Sequence, residues 1–547
     1  MSDLLSMAAV LEGHYRIRHE RTAIHMLLGR QPDQPITYGR LIDGAAGVAA
    51  ELVRAGVGRA EVVVIILPHG ELLVDAFWGA VMHGAIPSIL PPLTEKLSPE
   101  KYRRDLAALI GVTHPAAIVT FPDFENEARA AVDVSGRASA VIVLHEPRFV
   151  EPEFRVLGGM RAQVDDIALL QHSSGTTGLQ KGVALSHSAI FHQLQAYAPA
   201  IGLSPNDTIV SWLPLYHDMG LIASFVMPVL RRVPVVMMSP FDWVRAPAKL
   251  LQAISAHKGT LCWLPNFAYP FIATRVRDRD LVGVDLSSMR AFVNCSEPCY
   301  RHAHAQFAQR FANYGLRADA LHTSYAMAEN TFAVTQSLRA PAFAASDGEL
   351  HLSCGRPLAN VQLRVLGPDE RELGEGETGE IVVRSDCMLS GYYHRDELTA
   401  QAFVDGHYRT GDLGYLHEGE LYVTGRRKDL IIVGGKNVYP NDLEQLAGEV
   451  AGVHAGRVAA FGVFDAEQGT EEVVIVAEAE DLRVVGDAAA AELLADHVRA
   501  HVTKNSDVAV RIVQIVPEKW LIKTSSGKVS RGACREKWAE SQSRESE

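Results

Sequence analysis

The stretch Gln171-His172-Ser173-Ser174-Gly175-Thr176-Thr177-Gly178-Leu179-Gln180-Lys181-Gly182 packs two serines, two threonines, three glycines and one lysine between two apolar runs, Ile167–Leu170 and Val183–Leu185. That composition suits a loop wrapped around a polyphosphate. Glycines let backbone N–H groups approach oxygen atoms closely, and the hydroxyls and the ammonium add donors. The spacing is not that of the common Gly-x-x-x-x-Gly-Lys-Ser/Thr loop, because Lys181 is followed by Gly182 and the fifth residue after Gly175 is Gln180. A kinase or GTPase reading is therefore disfavoured.

Six further polar clusters fall at expected strand ends, where open α/β sheets place ligands. They are Trp212–Leu221 with Tyr216-His217-Asp218, Asn294–Pro298 with Ser296-Glu297, and Ser324–Asn330 with Tyr325-Ala326-Met327 and Glu329. The others are Tyr408–Gly414 with Asp412, Gly425–Ile431 with Arg426 and Lys428, and Lys523–Arg531 with Lys528. Each alone has a plain explanation. Glu329 could be a solvated helix residue, Asp412 turn chemistry after Gly411, Lys528 a loop lysine and His217 a core histidine with a satisfied ring. The order of all seven segments along one chain is what those explanations leave out.

The elements that must position them alternate. Tyr38–Ala55 and Leu72–Met82 have helical apolar spacing. Val62–Leu67, Ile86–Leu90, Ala117–Thr120 and Ala140–Leu144 read as buried strands, and Ile209–Leu213, Val233–Met238, Thr260–Leu264 and Arg290–Asn294 continue the series. This alternation predicts an α/β fold with largely parallel sheets. From about Leu352 short strands separated by turn residues (Val361–Val365, Gly379–Val383, Gly419–Val423) predict a β-rich subdomain. A smaller unit follows from about Asp429, with strands at Val458–Phe461 and Val473–Val476 and a helix near Ala488–His501. The polar residues 540–547 are expected to lack order.

Composition narrows the class. The 547 residues, 48% hydrophobic and 21% charged, are those of an ordinary globular protein of more than one domain. A formal charge of −13 argues against general nucleic-acid binding, which needs clustered Lys and Arg. The six cysteines form no Cys-x-x-Cys pair, so they predict buried or idle thiols in a reducing compartment. The apolar run Leu72–Leu90 contains Asp75, His83 and Pro87, and Val226–Met238 contains Arg231 and Arg232, so no membrane span is expected. The start, Met1-Ser2-Asp3-Leu4, does not read as a signal peptide, and a soluble cytoplasmic protein is the expectation.

The ordered set of segments resembles the adenylate-forming superfamily: acyl-CoA synthetases, nonribosomal peptide adenylation domains, luciferases and fatty acyl-AMP ligases. The resemblance runs from about Ile36 to Trp538. It implies a large N-terminal AMP-binding domain of layered α/β sheets, residues 1–427, whose β-rich subdomain covers about 352–427. It also implies a small mobile C-terminal α+β lid domain, 428–547, hinged at Lys428. Such enzymes join a carboxylate to the α-phosphate of ATP and release pyrophosphate, so catalysis is largely charge neutralisation and positioning.

By the resemblance, Ser173, Ser174, Gly175, Thr176, Thr177, Gly178 and Lys181 hold the β- and γ-phosphates, and Glu329 binds Mg²⁺, a hard cation that takes oxygen ligands. Tyr325 stacks on adenine, with Ser296, Glu297, Ala326 and Met327 around it. Asp412 accepts from the ribose hydroxyls, and Arg426 lies near ribose and phosphate. Lys528 bridges the substrate carboxylate and the α-phosphate, a contribution of ~2.7–4 kcal/mol by analogy with a lost oxyanion-hole donor. The lid then rotates to withdraw Lys528 and present the acyl-adenylate to a thiol. The chain departs from the family's usual residues at Ala326, often Gly, and at Gln180, often Pro.

Peptide-type adenylation domains hold the substrate ammonium with an Asp where this chain has His217, so an acyl substrate is favoured. Trp212, Met219, Trp263, Phe267 and Tyr269 are large apolar candidates for an acyl pocket, and equally candidates for plain core. Pro265–Tyr269, Tyr216–Leu221, Lys436–Glu444 and Ile89–Pro92 look like the fatty acyl-AMP ligase branch, whose members pass acyl groups to the phosphopantetheine thiol of an acyl carrier protein, commonly to begin polyketide or lipopeptide assembly. That branch usually carries an insertion after the Glu329 motif, whereas the connection from Asn330 to Leu352 is short here. CoA therefore remains an alternative acceptor. A non-catalytic acyl-nucleotide binding protein is a third reading, opposed by the presence of Lys181, Glu329, Asp412, Arg426 and Lys528 together.

Overall fold

The computed structural model describes residues 6–29, 32–93, 99–173, 181–337, 351–433, 436–465, 470–506, 508–524 and 528–545. Two seven-stranded sheets dominate the first 400 residues. The first runs, in spatial order, Leu321–Thr323, Ala291–Asn294, Leu261–Leu264, Ile209–Ser211, Val235–Met238, Thr22–Leu27 and Gln34–Thr37. Every pairing is parallel except the last. Four neighbouring parallel strands thus end at one edge, and each delivers a polar cluster there: Trp212 onward, Pro265 onward, Cys295 onward and Ser324 onward.

The second sheet runs Gly391–Tyr392, Lys181–Ser186, Ile167–Ser173, Ile86–Ile89, Val62–Ile65, Ala117–Thr120 and Ala140–Val143. Its strands Ile86–Ile89, Val62–Ile65 and Ala117–Thr120 are buried along their whole length, as parallel strands covered by helices must be. Helix Tyr38–Arg54, capped by the Thr37 hydroxyl accepting from Arg40 N at 3.2 Å, packs against helix Glu71–His83. The second helix stops at Gly84, whose φ of +85° completes a left-handed C-terminal turn that a side chain would resist. Ile167–Ser173 and Lys181–Ser186 form an antiparallel hairpin, so the Gly/Ser/Thr stretch is its connection. Ser174, Gly175, Thr176, Thr177, Gly178 and Gln180 lie outside the described residues, as does the side chain of Ser173.

The β-rich part is a five-stranded antiparallel sheet in which Gly379–Ser385 and His407–His417 are central. The strand expected at Gly419–Val423 begins at Glu420 and continues to Arg426. Glu418 (φ +51°) and Gly419 (φ +75°) form the two-residue turn that pairs His417 with Glu420. One excursion leaves this part: Gly391–Tyr392 pairs with Ala184 and Val183 of the second large sheet.

From Ile431 on, the chain builds its own small domain around Val453–Asp465, Thr470–Ala479 and Ile512–Val516. Val458 and Ala460 face helices Pro440–Gly448 and Ala488–Asn505, while Ala459 and Phe461 face helix Arg531–Glu545, the period-two alternation of a strand covered on both sides. That last helix corrects the expectation of no order for residues 540–545, since it continues to Glu545; residues 546 and 547 lie outside the described residues. Cys534 and Trp538 anchor its earlier turns in the core, and helix then propagates cheaply through polar sequence. Among the described residues no helix is long and apolar enough to cross a membrane. All six cysteines are buried and unbonded.

Candidate functional site

The first large sheet's edge is tied together by side-chain amides, one buried (Asn294) and one half-buried (Asn266). Asn294 Nδ2 donates to Asn266 Oδ1 at 2.9 Å and lies 3.1 Å from His304 Nε2, and Asn266 Oδ1 also accepts from Tyr300 N at 3.3 Å. Glu297 accepts from Phe267 N at 3.1 Å, joining the turn after one strand to the turn after its neighbour. Ser296 takes a φ of +71°, uncommon for a residue with a side chain and a feature that clusters at functional sites. Close by, Gly220 has no room for a Cβ, which would sit 2.2 Å from Pro214 O. That close approach folds the Tyr216-His217-Asp218 segment back onto its strand.

Lys528 reaches this edge from the small domain. Its ammonium donates to Ser296 O, and Thr524 N donates to Lys528 O at 2.8 Å, holding the loop that carries it. His217 lies against the same ammonium; burial and then the Lys528 charge push its ring down to about 3, so it is neutral near pH 7. The His217 Nε2 atom is buried without a hydrogen-bond partner. Asp218 accepts from Met219 N at 2.8 Å and caps the following wide helical turn, Met219–Val226. Burial raises the Asp218 carboxyl, Lys528 opposes that rise and Glu329 adds to it, so the three charges share one neighbourhood. Asp218 is a candidate site residue that the sequence reading passed over in favour of His217.

Asp412, Tyr325 and Arg426 form a second group. Asp412 pairs with Arg426 across the hairpin of His407–His417 and Glu420–Arg426, and its Oδ1 accepts from Arg426 Nε at 3.0 Å. Its Oδ2 accepts from Tyr325 Oη at 2.6 Å. The Asp412 carboxylate is the largest influence raising the Arg426 guanidinium. Ala326 and Met327 follow Tyr325 at the same edge, where Ala326 bridges Ala333 and Met327 N donates to Phe332 O at 2.9 Å.

Glu329 is clamped by its own backbone and by phenols. Thr331, two residues on, holds a φ of +63°, a genuine outlier for a β-branched residue, and its hydroxyl donates to Cys387 O at 2.7 Å. Leu389 N donates to Glu329 O at 2.8 Å. The carboxylate accepts from Tyr392 Oη at 3.0 Å, and Tyr392 Oη lies 2.8 Å from Tyr408 Oη. Lys181 Nζ sits over the Tyr392 ring, 4.7 Å from its centroid. Among the described residues no cluster of three His, Cys, Asp or Glu side chains could enclose a metal. A single carboxylate suits Mg²⁺ all the same, because that ion keeps waters and takes phosphate oxygens rather than an all-protein cage.

The apolar candidates divide. Trp212 stacks flat on Trp243, centroids 3.6 Å apart and planes 5° apart, with Phe267 edge-on at 6.4 Å. Met219 is buried beside Cys295, whose thiol lies 3.0 Å from its sulfur. Trp263 and Tyr269 are fully buried: Trp263 Nε1 donates to Tyr197 Oη at 2.8 Å, and Tyr269 packs on His304 and Phe307. Trp243 was missed because nothing in the local sequence ties it to Trp212. Tyr392 and Tyr408 were missed because their partner, Glu329, is remote in the chain.

Lys428 lies in the turn Arg427–Asp429, and burial, then Arg426, lowers its ammonium. Beside it, Asp429 accepts from Arg531 Nη1 at 2.7 Å. Arg531 also donates to Glu444 at 2.7 Å and to Asn441, fastening the Lys528 loop to the start of the small domain. Polar contacts between the domains include His351 with Asp442 at 3.1 Å and Gln445 with His302 at 3.1 Å.

Comparison with known proteins gives this arrangement its kin. A family described as AMP-binding enzyme matches residues 12–393. A putative fatty-acid–CoA ligase, FadD21, of Mycobacterium leprae (strain TN) is 32% identical over 93% of this chain and 92% of its own. The medium-chain fatty-acid–[acyl-carrier-protein] ligase JamA of Moorena producens (strain JHB) is 29% identical over 94% of this chain and 91% of its own. Among solved structures, one from studies of fatty acyl-adenylate ligases of E. coli and L. pneumophila superposes with a TM-score of 0.86 at 25% identity, covering 99% of both chains. Since the family match spans most of the sequence and the relatives match nearly end to end, the chain belongs to the AMP-binding enzyme family.

Proposed function

We propose that this protein activates a fatty, or otherwise apolar, carboxylic acid with ATP, forming the acyl-adenylate and pyrophosphate, and passes the acyl group to the phosphopantetheine thiol of an acyl carrier protein. The observation that carries the reading is the position of Lys528. Its ammonium stands at the sheet edge beside Ser296, His217 and Asp218, where a carboxylate and an α-phosphate would meet. There it neutralises two anions that otherwise repel, in a site preorganised before the reaction. Neutral His217, with a buried unpartnered nitrogen, offers one hydrogen bond to the carboxylate and no charge. The Asp412–Tyr325–Arg426 group fits a ribose and adenine, with Ser296 and Glu297 at its side. The Ser173–Lys181 hairpin connection would hold the β- and γ-phosphates. Mg²⁺ bound between Glu329 and those phosphates would neutralise charge on the leaving pyrophosphate.

Lys428 would be the hinge about which residues 428–547 rotate as a lid after adenylation, drawing Lys528 away. The test is product analysis after incubation with ATP, Mg²⁺, a range of fatty acids, CoA and phosphopantetheinylated carrier proteins. Acyl-adenylate followed by loaded carrier is expected; CoA thioester without loaded carrier would replace the acceptor. CoA is the second reading, favoured by the short connection after Asn330 and by the name of the 32% identical relative. No acid-dependent pyrophosphate release at all would remove the adenylation reading.

A further inference from the structure

We propose that Tyr392, backed by Tyr408, is a positioning residue that holds Glu329 and Lys181 in one register, so that a divalent cation and the terminal phosphates of the nucleotide are gripped as a unit. The proposal rests on the nucleotide reading above and adds residues that reading does not contain. Tyr392 is the far end of the excursion from the β-rich part: it pairs with Val183, two residues after Lys181, and its own N–H is fixed by Thr399 Oγ1 at 2.9 Å. The side chain is only 4% exposed and uses both of its chemical faces. The ring lies under Lys181 Nζ at 4.7 Å, a cation–π contact, and the hydroxyl meets Glu329 at 3.0 Å.

A phenol has one hydrogen to give. With that of Tyr392 committed to Glu329, the 2.8 Å contact between the two phenols must be Tyr408 donating to Tyr392. The result is a directed chain, Tyr408 to Tyr392 to Glu329, that fixes the carboxylate through its Oε1. Hydrogen-bond partners behind a metal ligand are worth about 10–100-fold in metal affinity where they have been removed. If Tyr392 served only as core, phenylalanine would replace it without consequence at the metal.

The experiment uses the full-length protein and needs no acyl substrate. Binding of Mn²⁺, as a probe for Mg²⁺, is measured by electron paramagnetic resonance with a non-hydrolysable ATP analogue. Tyr392→Phe keeps the ring beneath Lys181 and deletes only the hydroxyl. Its Mn²⁺ affinity should fall about tenfold or more, with an unchanged folded spectrum. In a Glu329→Gln background the same change should add little, because the partner is already altered. Tyr408→Phe should shift Mn²⁺ affinity the same way by less, and it stands in if Tyr392→Phe does not fold. Wild-type Mn²⁺ affinity in both phenylalanine variants, an undiminished effect beside Glu329→Gln, or no cation-dependent analogue binding in the wild type would overturn the proposal. Failure of the adenylation reading would show separately, as absent pyrophosphate release with Mn²⁺ binding intact.

Discussion

Lys181 and Lys528 come to the site from opposite kinds of support. Lys181 opens a strand of a seven-stranded sheet, lies on the ring of Tyr392 and belongs to a body whose core is continuous from Met7 to Tyr408. Lys528 sits on a short loop of a small domain with clusters of its own, and its ammonium meets the large body at a backbone carbonyl, Ser296 O. The first cation cannot leave without unfolding the sheet. The second would leave if the small domain moved. Fixed support suits a group that grips the part of ATP to be released, and detachable support suits one needed for only half of a two-step reaction.

The sharpest way to break that contrast is Lys528→Ala. Acyl-adenylate formation should fall about 10²–10³-fold while ATP binding stays near wild type, read by pyrophosphate release and by calorimetry. A wild-type adenylation rate would mean the loop lysine is ornamental. Arg531→Gln loosens the attachment of that loop to Asp429 and Glu444 without touching substrate. A drop of about 10–100-fold in adenylation is expected, since small misplacements of a reacting group are costly, with transfer from supplied acyl-adenylate to the thiol unaffected. Equal loss in both half-reactions would show a general destabilisation instead.

Acid should separate the two bodies. His172, His187 and His304 are buried in the large one, and burial pushes them down to about 4, 4 and 3. Between pH 6.5 and about 4 the unfolded chain binds protons that the folded chain refuses. Their contribution is whole above 6.5 and falls as pH drops, by about 1.4 kcal/mol per histidine per pH unit. Asp75, raised to about 8 by burial, acts in the opposite sense and offsets one of the three. In the small domain His454, His497 and His501 all keep solvent contact. Urea unfolding at pH 7.0 and 5.5 should therefore show the large body weakening more than the small one. The least effect is expected at Phe464, 68% exposed on the small domain, where Phe464→Ser should change stability by no more than about 0.5 kcal/mol.

How much of this was legible depended on whether a residue's partner lay nearby in sequence. Runs such as Val62–Ile65 and Leu261–Leu264 declare buried strands, and the polar residues just after them declare the site edge. Asp412 and Arg426 are joined by a hairpin, so local spacing carries their pairing. Tyr392 belongs to a two-residue strand inside a polar excursion, and its partners lie at Val183 and Glu329. Nothing periodic marks it. The apolar set was visible as large side chains, but burial rewards a core ring and a pocket ring alike. Only packing separates Trp212, stacked on Trp243, from Trp263, which is closed in on every side. The terminal helix was hidden because its anchoring comes from Trp538 and Cys534, upstream of the polar residues it carries.

The two-residue strand Gly391–Tyr392 has a consequence for solubility. It is the outermost member of the second large sheet, laid along Lys181–Ser186. Without it, that apolar strand would present unpaired N–H and C=O groups, a template on which another chain could add. Val183 and Ala184 are instead covered, and the covering segment turns away at once into His394 and Arg395, the latter donating its N–H to Tyr392 O at 2.9 Å. The contact that brings a phenol to the site is also the one that keeps the sheet from growing.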